Sequence, residues 1–254
     1  MFDAAREFVY AQGIEISLEE LSFEKVIERA GVPRSSVYRL WPYKGDFVQD
    51  LLCDLAGPNW LGTSAFDQET IDLTTEVVAR DPASLATPEG RRRVMLEAIR
   101  VGVARNFTAI SESQEWHIYI ALCASVHSAR NDESRLRIAA ALQHSEMTFV
   151  DRMTDFYSEM LAALGMRFRS EAYTVRHLAI AGASIVEGLA LRRIVAGAVD
   201  KATHPPTVPD HGWSLRNVLD GRLPAPGTGE EGDWSLAALG FLGVIDIMTE
   251  PVVP

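Results

Sequence analysis

The sequence predicts an all-α protein, and three observations carry that prediction. Apolar residues recur every three to four positions along nearly every segment, the helical period. Strand-type alternation persists nowhere. Gly13, Gly31, Pro42 and the Gly57-Pro58-Asn59 cluster punctuate the N-terminal runs in the manner of helix stops and turns. With 254 residues, 47% of them apolar and 23% charged, the chain has the balance of an ordinary folded protein and enough length for two unequal domains. The break at Gly57-Pro58-Asn59 divides it into a small N-terminal domain, 1–57, and a helical bundle, 58–254.

The elements follow in order. Asp3–Gln12 sets Phe2, Ala5 and Val9 on one stripe with Phe8 beside it, and Gly13 ends that helix. Ser22 opens a second helix with Phe23, Val26, Ile27 and Ala30 inward, and Glu24 in its first turn suits the helix dipole. Gly31 stops it. A short helix is expected over Arg34–Leu40, and after Pro42 a fourth over Lys44–Leu55. Further helices are predicted over Ala65–Arg80, Glu89–Thr108, Gln114–Ser128, Glu133–Leu164, Ser170–Val195 and Asp233–Thr249. Glu89–Thr108 places Leu96, Ile99, Val103 and Phe107 on one face, and the Arg91-Arg92-Arg93 run at its start reads as a solvated helix face. Asp81–Pro88 reads as a loop. Gly197–Gly232, with five prolines and six glycines, reads as a long loop with room for one short helix near Ser214–Leu219.

Net charge is −11, which opposes nucleic acid over the whole surface, yet phosphate contact requires only a local patch. Between Arg29 and Gly45 stand Arg29, Arg34, Arg39 and Lys44 with no acid. The same region, Ser22 to Lys44, is two short helices joined by a Gly-containing turn, the plan of a helix-turn-helix. In that plan the second helix enters the major groove with its N-terminal residues against base edges. Arg34, Ser35 and Ser36 hold the leading edge, while Val37 and Leu40 face back toward Val26 and Ala30. Tyr38 offers a hydroxyl that can reach phosphate. Arg39 and Tyr43 lie on the same side, and Lys44 opens the next helix, where ammonium and helix N-terminus both favour an anion.

These residues resemble the DNA-binding signature of the TetR family of regulators. The resemblance is carried by Ser22, Val26-Ile27, Ala30-Gly31-Val32-Pro33, Ser36, Val37, Tyr38, Trp41 and Lys44, at the family's spacing. It covers residues 1–57; beyond them the likeness is one of architecture. Three departures stand out: Leu40 where a polar or aromatic backbone contact is usual, Pro33 in place of the turn's Ser, and Ser35 in place of a frequent Gly. The resemblance implies a sequence-specific, double-stranded DNA-binding homodimer, with Ser22, Arg34, Ser35, Ser36, Tyr38, Arg39, Tyr43 and Lys44 at the operator. It also implies a bundle that dimerises and senses a small ligand, with loss of repression on binding. An activator, or a helical protein-interaction module of the same fold, is the alternative.

The back of the chain supports dimerisation independently. Ala179, Ala183, Val186 and Ala190 form one stripe of mostly small residues, with Gly182, Ser184 and Gly188 close by. Leu236, Gly240, Gly243 and Ile247 form another. Small residues let helices approach closely, either within one chain or between two. For a small apolar ligand, Trp116, Tyr119, Met153, Phe156 and Tyr157 offer walls and His117 or Glu187 polarity; the same aromatics also suit a core. Glu187, in an otherwise nearly uncharged stretch, requires a partner, an arginine across the dimer or a ligand group.

Other classes find little purchase. Asp151, Asp155 and Glu159 line one helix face without the Glu-x-x-His pairing of di-metal bundles. His204 and His211 flank a Pro-rich loop without a third ligand nearby. No nucleophile elbow or phosphate-binding Gly loop occurs, so neither an enzyme nor a cofactor or metal is expected. Cys53 and Cys123 form no Cys cluster, which fits a reducing cytoplasm. The longest uncharged run, Trp116–Ala129, is shorter than the ~20 residues of a membrane span.

Overall fold

The computed structural model describes residues 1–12, 21–57, 67–128, 132–200, 212–226 and 232–252. Among them are eleven α-helices and one pair of three-residue strands, so the fold is all-α. No helix among the described residues is long and apolar enough to cross a membrane. The chain forms two units, Met1–Ser64 with Ser113–Phe149, and Ala65–Glu112 with Val150–Pro254. Pro58 and Asn59, at the break expected from the sequence, lie outside the described residues, as do His204 and His211.

The first unit contains α1 (Phe2–Gln12), α2 (Phe23–Ala30), α3 (Arg34–Leu40), α4 (Lys44–Leu55), α7 (Gln114–Ser128) and the start of α8 (Asp132–Ala163). Its four N-terminal helices match the sequence reading nearly residue for residue. Ser22 caps α2, its hydroxyl oxygen accepting from the Lys25 amide at 3.4 Å. Gly31 ends α2 at φ +64°, and its N–H donates to the Glu28 carbonyl. Only a residue without Cβ adopts that left-handed geometry at little cost, so the turn depends on glycine there. Pro33 precedes α3 and its carbonyl accepts from the Ser36 and Val37 amides. The apolar stripes converge on a core of Ala5, Val9, Phe23, Val26, Ile27, Val37, Trp41, Phe47 and Leu51, joined by Ile118, Leu122, Ile138 and Leu142 from α7 and α8.

The second unit contains α5 (Gln68–Ala79), a 3-10 turn (Pro82–Ala86), α6 (Pro88–Glu112), the rest of α8, β1 (Met166–Phe168), α9 (Val175–Asp200), α10 (Leu215–Asp220), α11 (Leu236–Met248) and β2 (Thr249–Pro251). Helix α6 packs against α5, α9 and α11. Three neighbours bury a wider arc than the single stripe expected from the sequence. Met95, Ala98, Ile99, Gly102, Asn106 and Phe107 are buried, while Leu96 and Val103 are half-covered. At Gly102 a Cβ would stand 2.3 Å from Thr74 Oγ1, so α5 and α6 meet closely. One segment read as loop carries structure, 82–86 winding as the 3-10 turn, and the short helix expected near Ser214–Leu219 forms as α10, Leu215–Asp220.

Among the described residues, one pair of short strands departs from the helical reading. Met166, Arg167 and Phe168 pair antiparallel with Pro251, Glu250 and Thr249. Three residues are too few to show a period of two, so nothing in the pattern announced them. β1 falls in the gap between the helices read over Glu133–Leu164 and Ser170–Val195, the second of which is α9. That helix begins instead at Val175, where the Thr174 hydroxyl accepts from the His177 amide at 3.3 Å.

Helices α9 and α11 lie close because of glycine. A Cβ on Gly182 would stand 2.3 Å from Cε2 of Phe241, and one on Gly240 would stand 2.8 Å from Cγ2 of Ile185. Gly243, on the same stripe of α11 as Gly240, has nothing within 4 Å. The two classes of glycine predict opposite outcomes. Gly182→Ala forces the Phe241 ring to move and should destabilise the second unit by about 1–3 kcal/mol. Gly243→Ala removes a poor helix former without a clash and should be neutral or stabilising by up to about 1 kcal/mol. Urea unfolding followed by circular dichroism separates them; equal effects would refute the assigned packing.

Candidate nucleic-acid interface

The exposed face of the first unit is built by what α2 and α3 must bury. Val26, Ile27 and Val37 are buried in one cluster, and Phe23 meets the edge of Tyr38 at 5.7 Å between ring centres. With Val37 inward, the remaining residues of α3 turn outward. Arg34, Ser35, Ser36, Tyr38, Arg39 and Leu40 are all exposed, and Tyr43 follows at 75% exposure. Lys44, at the first position of α4, is half-buried. Ser22 is exposed and serves as the α2 cap. Leu40, read as packing inward beside Val37, is instead 65% exposed. It closes the short helix one position before Trp41, and Trp41 takes the buried place.

The electrostatics of this face differ from the linear sequence. The window from Arg29 to Gly45 holds no acid, yet the fold brings acids to it. Glu24 on α2 accepts the Tyr38 hydroxyl at 2.7 Å on one oxygen and pairs with Arg34 at 2.7 Å on the other. Glu7 on α1 pairs with Arg29 at 2.8 Å. The bond to Glu24 holds the Tyr38 phenol above its ordinary pKa, because ionisation would put two negative charges side by side. Arg34 therefore sits in a pair it must leave to touch anything else. The pair is largely exposed, with 70% and 47% of the two side chains open to solvent, so exchange for another anion is cheap.

Trp41 fixes the end of α3. Its ring lies 5.1 Å from Phe47 and 5.7 Å from Phe2, and its indole N–H donates to Asp50 Oδ2 at 2.9 Å. The other oxygen of Asp50 accepts from Arg137 of α8 at 2.7 Å. The Trp41 bond first, and Arg137 with it, hold the Asp50 carboxyl below its ordinary range. The sequence reading missed both Glu24 and Asp50. Their only signal was position on a polar helix face, which many acids share.

The residues expected around a ligand fall into two sets, one per unit. In the first unit Trp116 is 1% exposed, and its indole N–H finds no acceptor among the described residues. Tyr119 donates to Glu146 at 2.8 Å, and burial raises its pKa. In the second unit the Phe156 and Tyr157 rings lie 5.5 Å apart, and Tyr157 lies 5.7 Å from Phe241 in the core. Glu187 is half-buried on α9. Of the acids Asp151, Asp155 and Glu159 along α8, Asp151 pairs with Arg176 at 2.9 Å.

No protein-family model, curated protein or solved structure matches the chain.

The Asp50 network gives a pH signature. Its folded pKa is depressed, so its contribution is present above the unfolded value near 3.9 and is lost as pH falls through the lower folded value. Asp50→Asn should therefore lower the stability of the first unit at neutral pH, and the gap from wild type should close as pH falls toward that range. Urea titrations at a series of pH values measure this; a gap that widens on acidification would refute the assignment.

Proposed function

We propose that the protein is a sequence-specific DNA-binding transcriptional regulator of the TetR type, acting as a homodimeric repressor that a small molecule releases. One observation carries the reading. The hairpin of α2, left-handed Gly31 and α3 buries Val26, Ile27 and Val37, while α3 presents Arg34, Ser35, Ser36, Tyr38 and Arg39 outward. A short helix anchored on one face, with guanidinium and hydroxyl groups on the other, is what major-groove readout requires. Tyr43 and Lys44 beside it suit phosphate contact.

Dimerisation is supported by the second unit. On α9, Ile180, Leu191 and Val195 are 49%, 45% and 59% exposed, and on α11 Ile247 is 69% exposed beside the open Gly243. They follow a helical stripe on each helix, and exposed apolar stripes of this kind suit helix-to-helix pairing across a two-fold axis. A two-fold dimer matches the symmetry of a palindromic operator. For ligand release, the buried Trp116 N–H, without an acceptor among the described residues, is the supporting detail, since such a donor is costly unless something else satisfies it. Tyr119 of the same unit is a further candidate, and Phe156, Tyr157 and Glu187 are candidates of the second unit by itself.

Two experiments test this. Binding to the DNA upstream of its own coding region, followed by fluorescence anisotropy at two salt concentrations, should show tight, salt-dependent association. Arg34→Ala should weaken specific binding by ~1–3 kcal/mol and relax one operator position, while Lys44→Ala should weaken all sequences alike. Glu24→Gln frees Arg34 and should tighten binding. Equal losses on specific and nonspecific DNA for Arg34→Ala would refute base reading, and weaker binding by Glu24→Gln would refute the competition.

Assembly is tested separately. Gly243→Arg puts a charge on the open stripe of α11 and should yield monomers of unchanged helical content. Light scattering that shows an intact dimer would overturn the placement of the interface.

A further inference from the structure

The second unit holds a cavity of about 280 Å³ at the start of α6, close to the lower bound of about 300 Å³ for small-molecule sites. Met95, Leu164 and Met166 give it apolar walls, and Arg91, Arg92 and Arg169 line it together with Asp246.

The charges there do not balance. Arg92 forms a two-pronged pair with Asp246. Arg169 bonds the Asp246 carbonyl and pairs with Glu250, which also takes Arg167 at 2.8 Å. Asp246 and Glu250 thus face Arg92, Arg167 and Arg169, and Arg91 is left over. One amino group of Arg91 donates to the Leu85 carbonyl at 3.1 Å. Its Nε is buried, with no acceptor among the described residues. Gly165, at φ +61°, admits this guanidinium: a Cβ there would stand 3.2 Å from Nε. Arg91 has no carboxylate partner among the described residues, yet it stands in the first turn of a 25-residue helix, where the dipole disfavours a cation. A half-buried cation without a counter-charge is costly. In a chain of net charge −11, this is a local feature and not general basicity.

One guanidinium without a carboxylate partner among the described residues, beside apolar walls, defines the ligand. We propose that the cavity binds a short-chain organic monocarboxylate, with its carboxylate on Arg91 and its chain against Met95, Leu164 and Met166. Inorganic phosphate would leave the apolar walls bare. The inference is independent of DNA binding.

The test is calorimetric titration of the full chain with hexanoate, hexanol and inorganic phosphate, alongside thermal melts. Hexanoate should bind saturably and raise Tm, and the other two should not. Arg91→Gln should weaken hexanoate at least tenfold. Met166→Trp, which fills the cavity while leaving every arginine, should do the same and decides the matter if Arg91→Gln does not fold. No binding of hexanoate, equal binding of hexanol or phosphate, or unchanged affinity in Met166→Trp would each overturn the proposal.

Discussion

Phe47 is fully buried, and its ring lies within 5.1–5.7 Å of the rings of Phe2, Phe23 and Trp41. Those four aromatics come from α1, α2, the end of α3 and α4, so a single contact set ties all four N-terminal helices. The need for it is plain from length. Helices α2 and α3 have 8 and 7 residues, well below the ~12–15 at which an isolated helix holds together in water. Tertiary burial must therefore supply what their few internal hydrogen bonds do not. Once Phe23, Val37 and Trp41 are fixed inward, the outward direction of Arg34, Ser35, Ser36 and Arg39 follows from helical geometry. The candidate interface is in this sense the reverse side of an aromatic core.

The second unit rests on a different device. Gly182 against Phe241 and Gly240 against Ile185 draw α9 and α11 together. Asp246, late in α11, then meets Arg92 at the start of α6. The chain leaving α11 enters β2, where Arg169 N–H donates to the Met248 carbonyl at 3.0 Å and Val252 N–H to Gly165 at 2.8 Å. The short sheet closes one end of the unit and brings Met166 and Arg169 beside Arg91 and Arg92. The arginine-lined cavity is a product of that closure.

What the sequence made legible is local, and what it hid is not. Helix positions were readable because burial imposes a period within each segment, and caps such as Ser22 and Gly31 act within three or four residues. Glu24 with Arg34, Asp50 with Trp41, and Arg92 with Asp246 depend on how separate helices cross, which no periodicity encodes. Gly240 and Gly243 illustrate the limit: they share one stripe in sequence, yet one fills a tight contact and the other faces open space. The Arg91–Arg93 run looked like a solvated face, and for Arg93, 73% exposed, it is. Arg91 differs because Gly165, distant in sequence, and Leu85, six residues before it, enclose it.

The charge of the first unit bears on how any nucleic acid would meet it. Residues 1–57 hold six basic and ten acidic side chains, but the acids are not evenly spread. Asp54 pairs with Arg6, Asp50 with Arg137 and Glu7 with Arg29. Among the described residues, Glu24 is the acid that pairs with exposed side chains of α3, binding both Arg34 and Tyr38. A polyanion approaching there gains Arg34 only by replacing the Glu24 carboxylate that already pairs with it. Phosphate or a guanine edge can make that exchange, because a solvent-exposed pair holds little free energy of its own and is screened further by salt. Nonspecific attraction is thereby reduced, while a correctly placed acceptor still recovers the full contact. An acidic protein that reads DNA through α3 would derive its selectivity from this difference, with Glu24 as the reference against which every base edge competes.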